Sequence, residues 1–358
     1  MLRRSAATLT VLCSLALPTA ALAQASTETP DVVPGAKPVT VEHIKIHGKS
    51  LEGNLEGNAV DRPALVMLPP SYKSEPGRRY PVIYALHGYS IGAEQWTKEI
   101  HVPETIEGAF AKGAREMIVV MLDSKTAYNG SMYSSSPTTG DFEDYVAEDA
   151  VAYMDSHYRT IPDRNSRGLV GHSMGGYGAA RIGMKRSDVF GGLYIMSPCC
   201  MSPRGADVPG NDPKATYAAI AELKSPADAA KLGFGLKAQL AVASAWSPDP
   251  KNPPLYLDLP VGDKKAEVLA KWAANAPLAF VDQYIHNLRE YRGIGIDVGD
   301  MDGLKADTTK LHDILDSYGI KNQFEVYHGT HTSRVAFRFQ DHVLPFFSKT
   351  LSFEQPKH

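Results

Sequence analysis

The feature that most constrains the fold is the stretch GLVGHSMGGYGAAR at residues 168–181. It contains the pattern G-x-S-x-G, in which Gly171 and Gly175 stand two positions either side of Ser173. An apolar strand pattern precedes the serine, and a helix pattern rich in small residues follows it. A strand–turn–helix of this kind bends sharply, and glycines at those two positions leave room for the bend. The stretch therefore predicts a buried strand, an exposed serine nucleophile and a helix packed on the strand.

The same turn predicts where negative charge could be stabilised. The N–H of Met174 begins the predicted helix and can donate to an oxyanion that develops beside Ser173. A second donor is expected after the apolar run YPVIYALHG, where the N–H of Tyr89 follows a His-Gly pair. A glycine-rich loop that binds phosphate is the alternative, but the Lys-Ser/Thr pair of such a loop is missing.

Apolar runs alternate with helical patterns along most of the chain. Strand patterns lie at VEHIKIHG, PALVML, YPVIYALHG, MIVVMLDS, SRGLVGHS, GGLYIMSP, GIGIDVG and NQFEVYHG, with helical patterns between the later ones and at AFRFQDHVLPFFSKTL. Residues 141–158 also have helical spacing, although Asp149 falls on their apolar face. This order predicts an α/β fold, a mostly parallel central sheet with helices on both faces. We expect one domain over residues 41–358, with a lid-like cap insert at about residues 198–292, where the alternation lapses.

The N-terminus has the pattern of an export signal. Residues 1–23 combine a basic start at Arg3 and Arg4, an apolar stretch and a small-residue cleavage site ending at Ala23, which predicts a secretory signal peptide of bacterial style. The apolar stretch is short for a membrane span, so we expect a secreted or periplasmic protein with no span in its mature form. A retained membrane anchor is the alternative. Residues 24–40 are polar and Pro-rich and predict a flexible tether.

Composition limits the classes of partner. The formal net charge of −3 argues against a strongly basic nucleic-acid binder, so no nucleic-acid partner is expected. Beyond the signal peptide the cysteines are Cys199 and Cys200, which cannot form a disulfide framework. Two packed thiols are the simpler interpretation of this pair, and a strained vicinal disulfide is the alternative.

A serine nucleophile needs a base, and candidates lie near the C-terminus. In a fold with this elbow the chain order is serine, acid, histidine. His331, in HGTHTS just past the last predicted strand, is the candidate base, with His328 at the strand end as the alternative. A metal pair of His328 and His331 is a weaker hypothesis because neither a helix nor a third ligand accompanies it.

The acid is expected in the loop GDMDGL that follows the strand pattern GIGIDVG. This loop offers Asp300 and Asp302, whereas Asp297 lies inside the strand. We favour Asp302 as the group that orients the imidazole. A calcium loop in the same stretch would need ligands at Val298 and Thr309, which those residues do not supply. We expect no metal and no organic cofactor.

With these motifs, the chain resembles the putative-esterase family of α/β-hydrolases, the esterase D, feruloyl esterase and antigen 85 branch. The resemblance runs from about residue 63 to residue 351. It rests on LHGYSIGAEQW, NGSMYSSSPTTGDFEDYV, YRTIPDRNSRGLVGHSMGGYGA, DVGDMDGL and YHGTHTSRV. The branch's G-x-S-M-G-G pattern matches Gly171 to Gly176. The resemblance implies that its acid falls on Asp302, its histidine on His331 and its oxyanion amide on Tyr89.

The sequence thus predicts a serine carboxylic-ester hydrolase that acts on small-molecule or carbohydrate-linked esters. Acyl transfer to a sugar acceptor is the alternative reaction, and a non-catalytic binding protein on the same scaffold is the alternative class. We expect substrate contacts from Tyr128, Tyr133 and Trp96, with Trp246 and Trp272 as further stacking faces. For each of these aromatic residues, packing or an ordinary turn is the competing interpretation. The long insert departs from compact family members, so the resemblance does not fix the acyl or alcohol group.

Overall fold

The computed structural model describes residues 27–203 and 213–354, with side chains from residue 217 onward in the second range. The predicted signal peptide lies outside the described residues. Within them, no helix is both long enough and apolar enough to cross a membrane.

Eight of the strands in the described part of the chain form one sheet, in the order β1-β2-β4-β3-β7-β8-β9-β10. β1 and β2 are antiparallel, as are β2 and β4, and every other neighbouring pair is parallel. β5 and β6 form a separate antiparallel pair. The strands are β1 (Thr40–His47), β2 (Asp61–Leu68), β3 (Val82–Leu86), β4 (Ile118–Leu122), β5 (Ser135–Ser136), β6 (Gly140–Asp141), β7 (Arg167–His172), β8 (Gly192–Met196), β9 (Gly293–Gly299) and β10 (Gln323–Tyr327).

Helices cover both faces of this sheet. One-turn π-helical segments at Tyr145–Asp149 and Phe339–Val343 join α4 to α5 and α13 to α14. The α-helices are α1 (Ser71–Ser74), α2 (Ala93–Glu99), α3 (Glu104–Ala111), α4 (Phe142–Asp144), α5 (Ala150–His157), α6 (Met174–Lys185), α7 (Pro213–Ala221), α8 (Phe234–Trp246), α9 (Lys265–Ala274), α10 (Pro277–Phe280), α11 (Ile285–Arg289), α12 (Lys305–Ser317), α13 (Val335–Arg338) and α14 (Leu344–Thr350).

The core has one apolar cluster on each face of the sheet. Along β3, Tyr84 and Leu86 join the cluster that contains α5, α6 and α12, while Ile83 and Ala85 join the cluster that contains α2, α3 and α14. This two-residue alternation is what a strand buried on both faces requires. The predicted α/β-hydrolase fold, a mostly parallel sheet between helical layers, is confirmed.

The predicted helix at residues 141–158 forms, but its second turn widens into the π segment. Asp149, the acid on its apolar face, accepts hydrogen bonds from the N–H and hydroxyl of Ser50 at 3.0 and 2.6 Å. Polar partners therefore satisfy a carboxylate that the helical pattern alone would have placed against the core.

Residues 27–39, the described part of the predicted tether, carry no helix or strand but contact the domain. The N–H of Glu28 donates to the carbonyl of Ser333 at 2.8 Å, and its carboxylate pairs with Arg334 at 2.6 Å. At the other end, Val39 is buried and its N–H donates to Glu107 at 2.9 Å. Both ends of this segment are thus held against the domain.

The predicted insert lies between β8 and β9 and contains α7 to α11. The buried apolar residues of its described part belong to the larger apolar cluster, which they share with the sheet. The indole N–H of Trp246 donates to Ser134 at 3.1 Å, and the hydroxyl of Ser136 donates to the carbonyl of Ser244. From α6, the hydroxyl of Tyr177 donates to the carbonyl of Asn275 at 2.8 Å. These contacts attach the insert to the segment around β5 and to the helix that follows the predicted nucleophile.

Candidate active site

Ser173 occupies the sharp turn between β7 and α6. Its backbone has φ 59° and ψ −115°, a left-handed conformation that is costly for a residue with a side chain. A Cβ atom on Gly171 would overlap the carbonyl of Gly175, and one on Gly175 would overlap the carbonyl of Leu86. The sequence therefore folds this way because the bend leaves no space for side chains at either glycine.

The structure brings Ser173, His331 and Asp302 into one hydrogen-bonded line. His331 Nε2 lies 2.9 Å from Ser173 Oγ, and His331 Nδ1 lies 2.8 Å from Asp302 Oδ2. The histidine comes from the loop after β10 and the aspartate from the loop after β9. The side chain of Asp302 is 2% exposed and that of His331 is 35% exposed. A buried acid therefore orients an imidazole whose other nitrogen faces the serine hydroxyl, the arrangement needed to activate a serine.

Ionisation of Asp302 suits this role. Burial alone would raise the pKa of Asp302, but the hydrogen bond and charge of His331, with the N–H of Leu304, hold that pKa below its ordinary value. Asp302 Oδ1 accepts from the Leu304 N–H at 2.9 Å. The carboxylate therefore stays charged at neutral pH and can stabilise an imidazolium.

The alternative residues pair with each other on the surface. Asp300 Oδ2 lies 3.0 Å from His328 Nδ1, and Asp300 Oδ1 accepts from the Gly329 N–H at 3.0 Å. These contacts lower the pKa of Asp300, the Gly329 N–H most. The side chain of His328 is 85% exposed. This pair connects the two loops that supply Asp302 and His331, and it does not contact Ser173.

The two predicted oxyanion donors lie beside the serine. A Cβ built on Gly88 would be 3.4 Å from Ser173 Cβ, which places the Gly88–Tyr89 peptide against the nucleophile. Met174 is the first residue of α6, so its N–H has no partner inside the helix. In the described part of the chain, neither the Tyr89 nor the Met174 N–H donates to a protein acceptor.

Each of the two peptides that carry these N–H groups is held by hydrogen bonds to its carbonyl oxygen. In a trans peptide the C=O and N–H point in opposite directions, so fixing one fixes the other. The Gly88 carbonyl lies 2.8 Å from Nδ1 of the buried His87, whose Nε2 accepts from the Ser124 N–H at 2.8 Å. Because Nε2 accepts, the proton is on Nδ1 and donates to Gly88. His87 thus orients the N–H of Tyr89.

The Ser173 carbonyl is held in the same way. It accepts from the Tyr177 N–H at 2.9 Å and from the Cys199 N–H at 3.1 Å. The N–H of Ser173 donates to the Met196 carbonyl at 3.1 Å. The end of β8 therefore holds the N–H of the nucleophile, and the segment after β8 holds its carbonyl and, through the shared peptide, orients the Met174 N–H.

Sequence reasoning missed the roles of His87 and His172. His172 Nε2 lies 2.8 Å from the His331 carbonyl, and the two rings lie 4.7 Å apart. Burial, together with the charge of His331, lowers the pKa of His172 to about 3. A neutral His172 therefore donates to the backbone of the histidine loop. Their positions were the available signal in the sequence, because His172 precedes Ser173 and His87 lies two residues before Tyr89.

The structure places the predicted substrate-contacting aromatics inside the protein. Tyr128 and Tyr133 are 0% exposed and Trp96 is 2% exposed. Trp96 packs 6.1 Å from Phe339 in the cluster on the opposite face of the sheet from α6. These side chains pack inside the protein, as the competing interpretation expected. A ring that is enclosed in this way has no exposed face to contact a substrate.

Tyr128 supports the site through its backbone. The hydroxyl of Tyr89 donates to the Tyr128 carbonyl at 2.8 Å. Trp246 and Trp272 are each 8% exposed and use their indole N–H groups within the protein. These three aromatic residues therefore position other groups and present little surface to a ligand.

Phe234, at the start of α8 in the insert, was not anticipated. It is 64% exposed, and its ring meets the ring of Tyr89 edge-on at 5.2 Å. No periodic pattern in the insert marks this residue. It places an exposed apolar face beside one of the predicted oxyanion residues.

Ionisable groups elsewhere in the described ranges do not assemble a metal centre. Among residues 27–203 and 213–354 there is no group of three or more His, Cys, Asp or Glu side chains with the spacing to hold a metal ion.

Comparison with known proteins identifies the family and supports the fold of this chain. The sequence profile of the putative-esterase family matches residues 59–343. A ferulic acid esterase structure superposes with a TM-score of 0.61 at 22% identity, covering 88% of this chain and 100% of that one. A ferulic acid esterase from Anaeromyces mucronatus, solved in complex with ferulic acid, has a TM-score of 0.51 at 20% identity and covers 92% and 95% of the two chains.

A curated relative matches a shorter stretch. The endo-1,4-beta-xylanase/feruloyl esterase of Xylanibacter ruminicola is 28% identical over 140 residues, which is 38% of this chain and 18% of that protein. The matched stretch is thus less than a fifth of the relative, whereas the family profile covers most of this chain. The chain belongs to the putative-esterase family and has the α/β-hydrolase fold.

Proposed function

We propose that this esterase is an exported serine carboxylesterase that works through an acyl-enzyme. Ser173 Oγ attacks the ester carbonyl while His331 Nε2 accepts its proton. His331 then gives that proton to the departing alcohol, and Asp302 stabilises the imidazolium in between. Water, activated by the same imidazole, attacks the acyl-enzyme and releases the acid.

The observation that carries this proposal is the line of hydrogen bonds from Ser173 through His331 to Asp302. Both links are at hydrogen-bond distance. The serine also stands at the N-terminus of a twelve-residue helix, where the local field favours negative charge. These features support nucleophilic activation at one atom, the Oγ of Ser173.

The amides of Tyr89 and Met174 form the proposed oxyanion hole. An N–H aimed at the developing charge contributes about 3–4 kcal/mol of transition-state stabilisation, or about 10²–10³ in kcat. Because both donor peptides are held from their carbonyl sides, the donors need little reorganisation as charge develops. This pre-arrangement supports hydrolysis of unactivated esters as well as nitrophenyl esters.

For the substrate we propose an ester with a planar or bulky apolar group, alone or attached to a carbohydrate. Phe234 and Tyr89 give the site an exposed aromatic edge, and aromatic pairs add about 0.5–1.5 kcal/mol beyond the burial of area. One structural relative was solved with ferulic acid bound. The proposed export from the cytoplasm rests on the signal pattern of residues 1–23.

A fluorophosphonate probe tests the proposed nucleophile. Wild-type protein should be labelled at Ser173, and Ser173→Ala should not be labelled. His331→Gln should be labelled far more slowly, whereas His328→Gln, the matched control, should be labelled at the wild-type rate. A folded wild-type sample that resists the probe would refute the proposal.

A panel of esters tests the proposed substrate class. Methyl ferulate and 4-nitrophenyl esters of rising chain length are compared with acetylated xylan, for wild type and Phe234→Ala. We expect Phe234→Ala to raise KM for the aryl ester several-fold and to leave the acetyl ester unaffected. Equal effects on both esters would contradict a recognition role for Phe234. A product ester on an added sugar, in place of free acid, would instead identify an acyltransferase.

A further inference from the structure

The segment that follows β8 carries two adjacent thiols, and its backbone contacts the nucleophile through the Cys199 N–H. Cys199 Sγ and Cys200 Sγ lie 2.9 Å apart, and both residues are partly exposed. Both are in the thiol form in this structure. Cys200 has φ 59°, a conformation that residues with side chains seldom adopt. The backbone thus holds the two sulfur atoms on the same side of the chain, closer together than two sulfur atoms usually pack.

We propose that Cys199 and Cys200 form a redox-sensitive dithiol site that controls the oxyanion hole. An oxidant of the small-disulfide class would accept two electrons and two protons from the pair. One S–S bond forms between Cys199 and Cys200, and the oxidant's own S–S bond is reduced to two thiols. Closing the bond requires the sulfur atoms to approach by about 0.9 Å, since a disulfide is about 2.05 Å long.

The resulting bond would be reversible. Neighbouring Cα atoms are about 3.8 Å apart, which is shorter than the roughly 4.4–6.8 Å that an unstrained disulfide spans. Strained and accessible disulfides are the ones that small thiols reduce readily. The pair therefore fits a site that switches between two states, and it does not fit a permanent structural bridge.

Closure would reach the proposed active site through one hydrogen bond. The Cys199 N–H donates to the Ser173 carbonyl at 3.1 Å, and that carbonyl belongs to the same peptide as the Met174 N–H. An eight-membered ring through Cys199 and Cys200 constrains the Cys199 backbone, so this donor shifts. The Met174 N–H then points less directly at the oxyanion. This effect on activity rests on the proposed function, whereas the chemistry of the thiols does not.

Oxidation and mass measurement test the chemistry. The tested protein carries Cys13→Ser, which leaves Cys199 and Cys200 as the cysteines of the chain. With oxidised glutathione, we expect a monomer lighter by two hydrogen atoms, with the bond mapped to the peptide holding residues 199 and 200. Cys199→Ser and Cys200→Ser should each gain one glutathione instead. A stable glutathione adduct on the parent protein, or a disulfide between two chains, would overturn the proposal.

Phenylarsine oxide provides an independent probe. Trivalent arsenic bonds to both sulfur atoms and releases one water, so the parent should bind one equivalent that a dithiol removes and a monothiol does not. Either single variant should bind it at least tenfold more weakly. Equal affinity for parent and single variants would overturn the dithiol site.

Activity tests the coupling to the oxyanion hole. Each protein is compared with its own reduced form, using a nitrophenyl ester. Oxidation should lower kcat of the parent by about tenfold, which is less than the loss expected when an oxyanion donor is removed outright. Dithiothreitol should restore it. A closed disulfide with unchanged kcat would overturn the coupling, and absence of fluorophosphonate labelling in the reduced protein would instead overturn the proposed function.

Discussion

Replacing Asp302 by Asn should reverse the direction of the hydrogen bonds that His331 makes in the proposed triad. Asp302 accepts two hydrogen bonds, from the Leu304 N–H at 2.9 Å and from His331 Nδ1 at 2.8 Å. Asparagine has one acceptor oxygen. If that oxygen stays on the Leu304 N–H, the amide NH₂ faces His331 Nδ1 and drives the imidazole proton to Nε2. A protonated Nε2 donates to Ser173 and cannot accept its proton.

The size of the loss follows from the same contacts. In the Asp302→Asn variant, rotating the new side-chain amide restores the productive tautomer of His331 but turns the amide NH₂ toward the Leu304 N–H. Two donors then face each other, which costs about 1–3 kcal/mol. That corresponds to about one or two factors of ten in rate. The lost carboxylate charge on the imidazolium accounts for the remainder, so kcat should fall by about 10⁴-fold with little change in KM.

The matched control is Asp300→Asn, which changes the neighbouring acid in the same loop. Asp300 can keep its hydrogen bond from Gly329 through one oxygen, and its partner His328 is exposed. We expect kcat within about fivefold of wild type, since exposed pairs contribute little. Initial rates with a 4-nitrophenyl ester and circular dichroism spectra would be recorded for both variants. Similar small losses in the two variants, or a folded Asp302→Asn retaining a tenth of wild-type kcat, would refute the assignment.

Three further outcomes are expected. Gly171→Ala should destabilise the fold by several kcal/mol or prevent folding, whereas Gly303→Ala, with nothing within 4 Å of the new methyl group, should be nearly neutral in a urea melt. His87→Leu should lower kcat by about 10–100-fold with KM little changed, because the Gly88–Tyr89 peptide loses its hydrogen bond; an unchanged kcat would exclude this role. Burial raises the pKa of Glu56 from its ordinary value of 4.5 to about 7. Between these two values of pH, the folded protein keeps a proton on Glu56 that the unfolded chain has released. Stability should therefore fall as pH rises through this window, by about 3 kcal/mol in all, and Glu56→Gln should gain stability over wild type at pH 8 relative to pH 5; the same difference at both values would contradict the raised pKa.

Sequence reasoning predicted the parts of the site that have a local cause. Ser173 is marked by glycines that the bend itself requires, and His331 by its position just past the last strand. The choice between Asp300 and Asp302 was less determined, because both stand in one loop and tertiary contacts decide which side chain turns inward. The family resemblance favoured Asp302, and the structure places that residue beside His331.

The predicted substrate contacts show where such reasoning ends. An aromatic residue near a site motif can pack inward or face a ligand, and composition does not distinguish the two. Tyr128 and Trp96 pack inward, whereas Phe234, in a segment without a motif, is exposed. The wide π-helical turn before α5 also has no signature in the apolar spacing.

Ser173 and His331 of the proposed triad are held by contacts of different kinds. Ser173 immediately precedes α6, in which every residue from Met174 to Met184 is buried. The loop that carries His331 is held by one hydrogen bond from the buried His172 and by surface contacts, among them the pairs of Asp300 with His328 and of Glu28 with Arg334. Amide hydrogen exchange should accordingly be slow along α6 and fast around His331, because partial opening of that loop breaks few buried contacts. On warming, catalysis should fade reversibly below the melting temperature, while the rest of the protein is still folded.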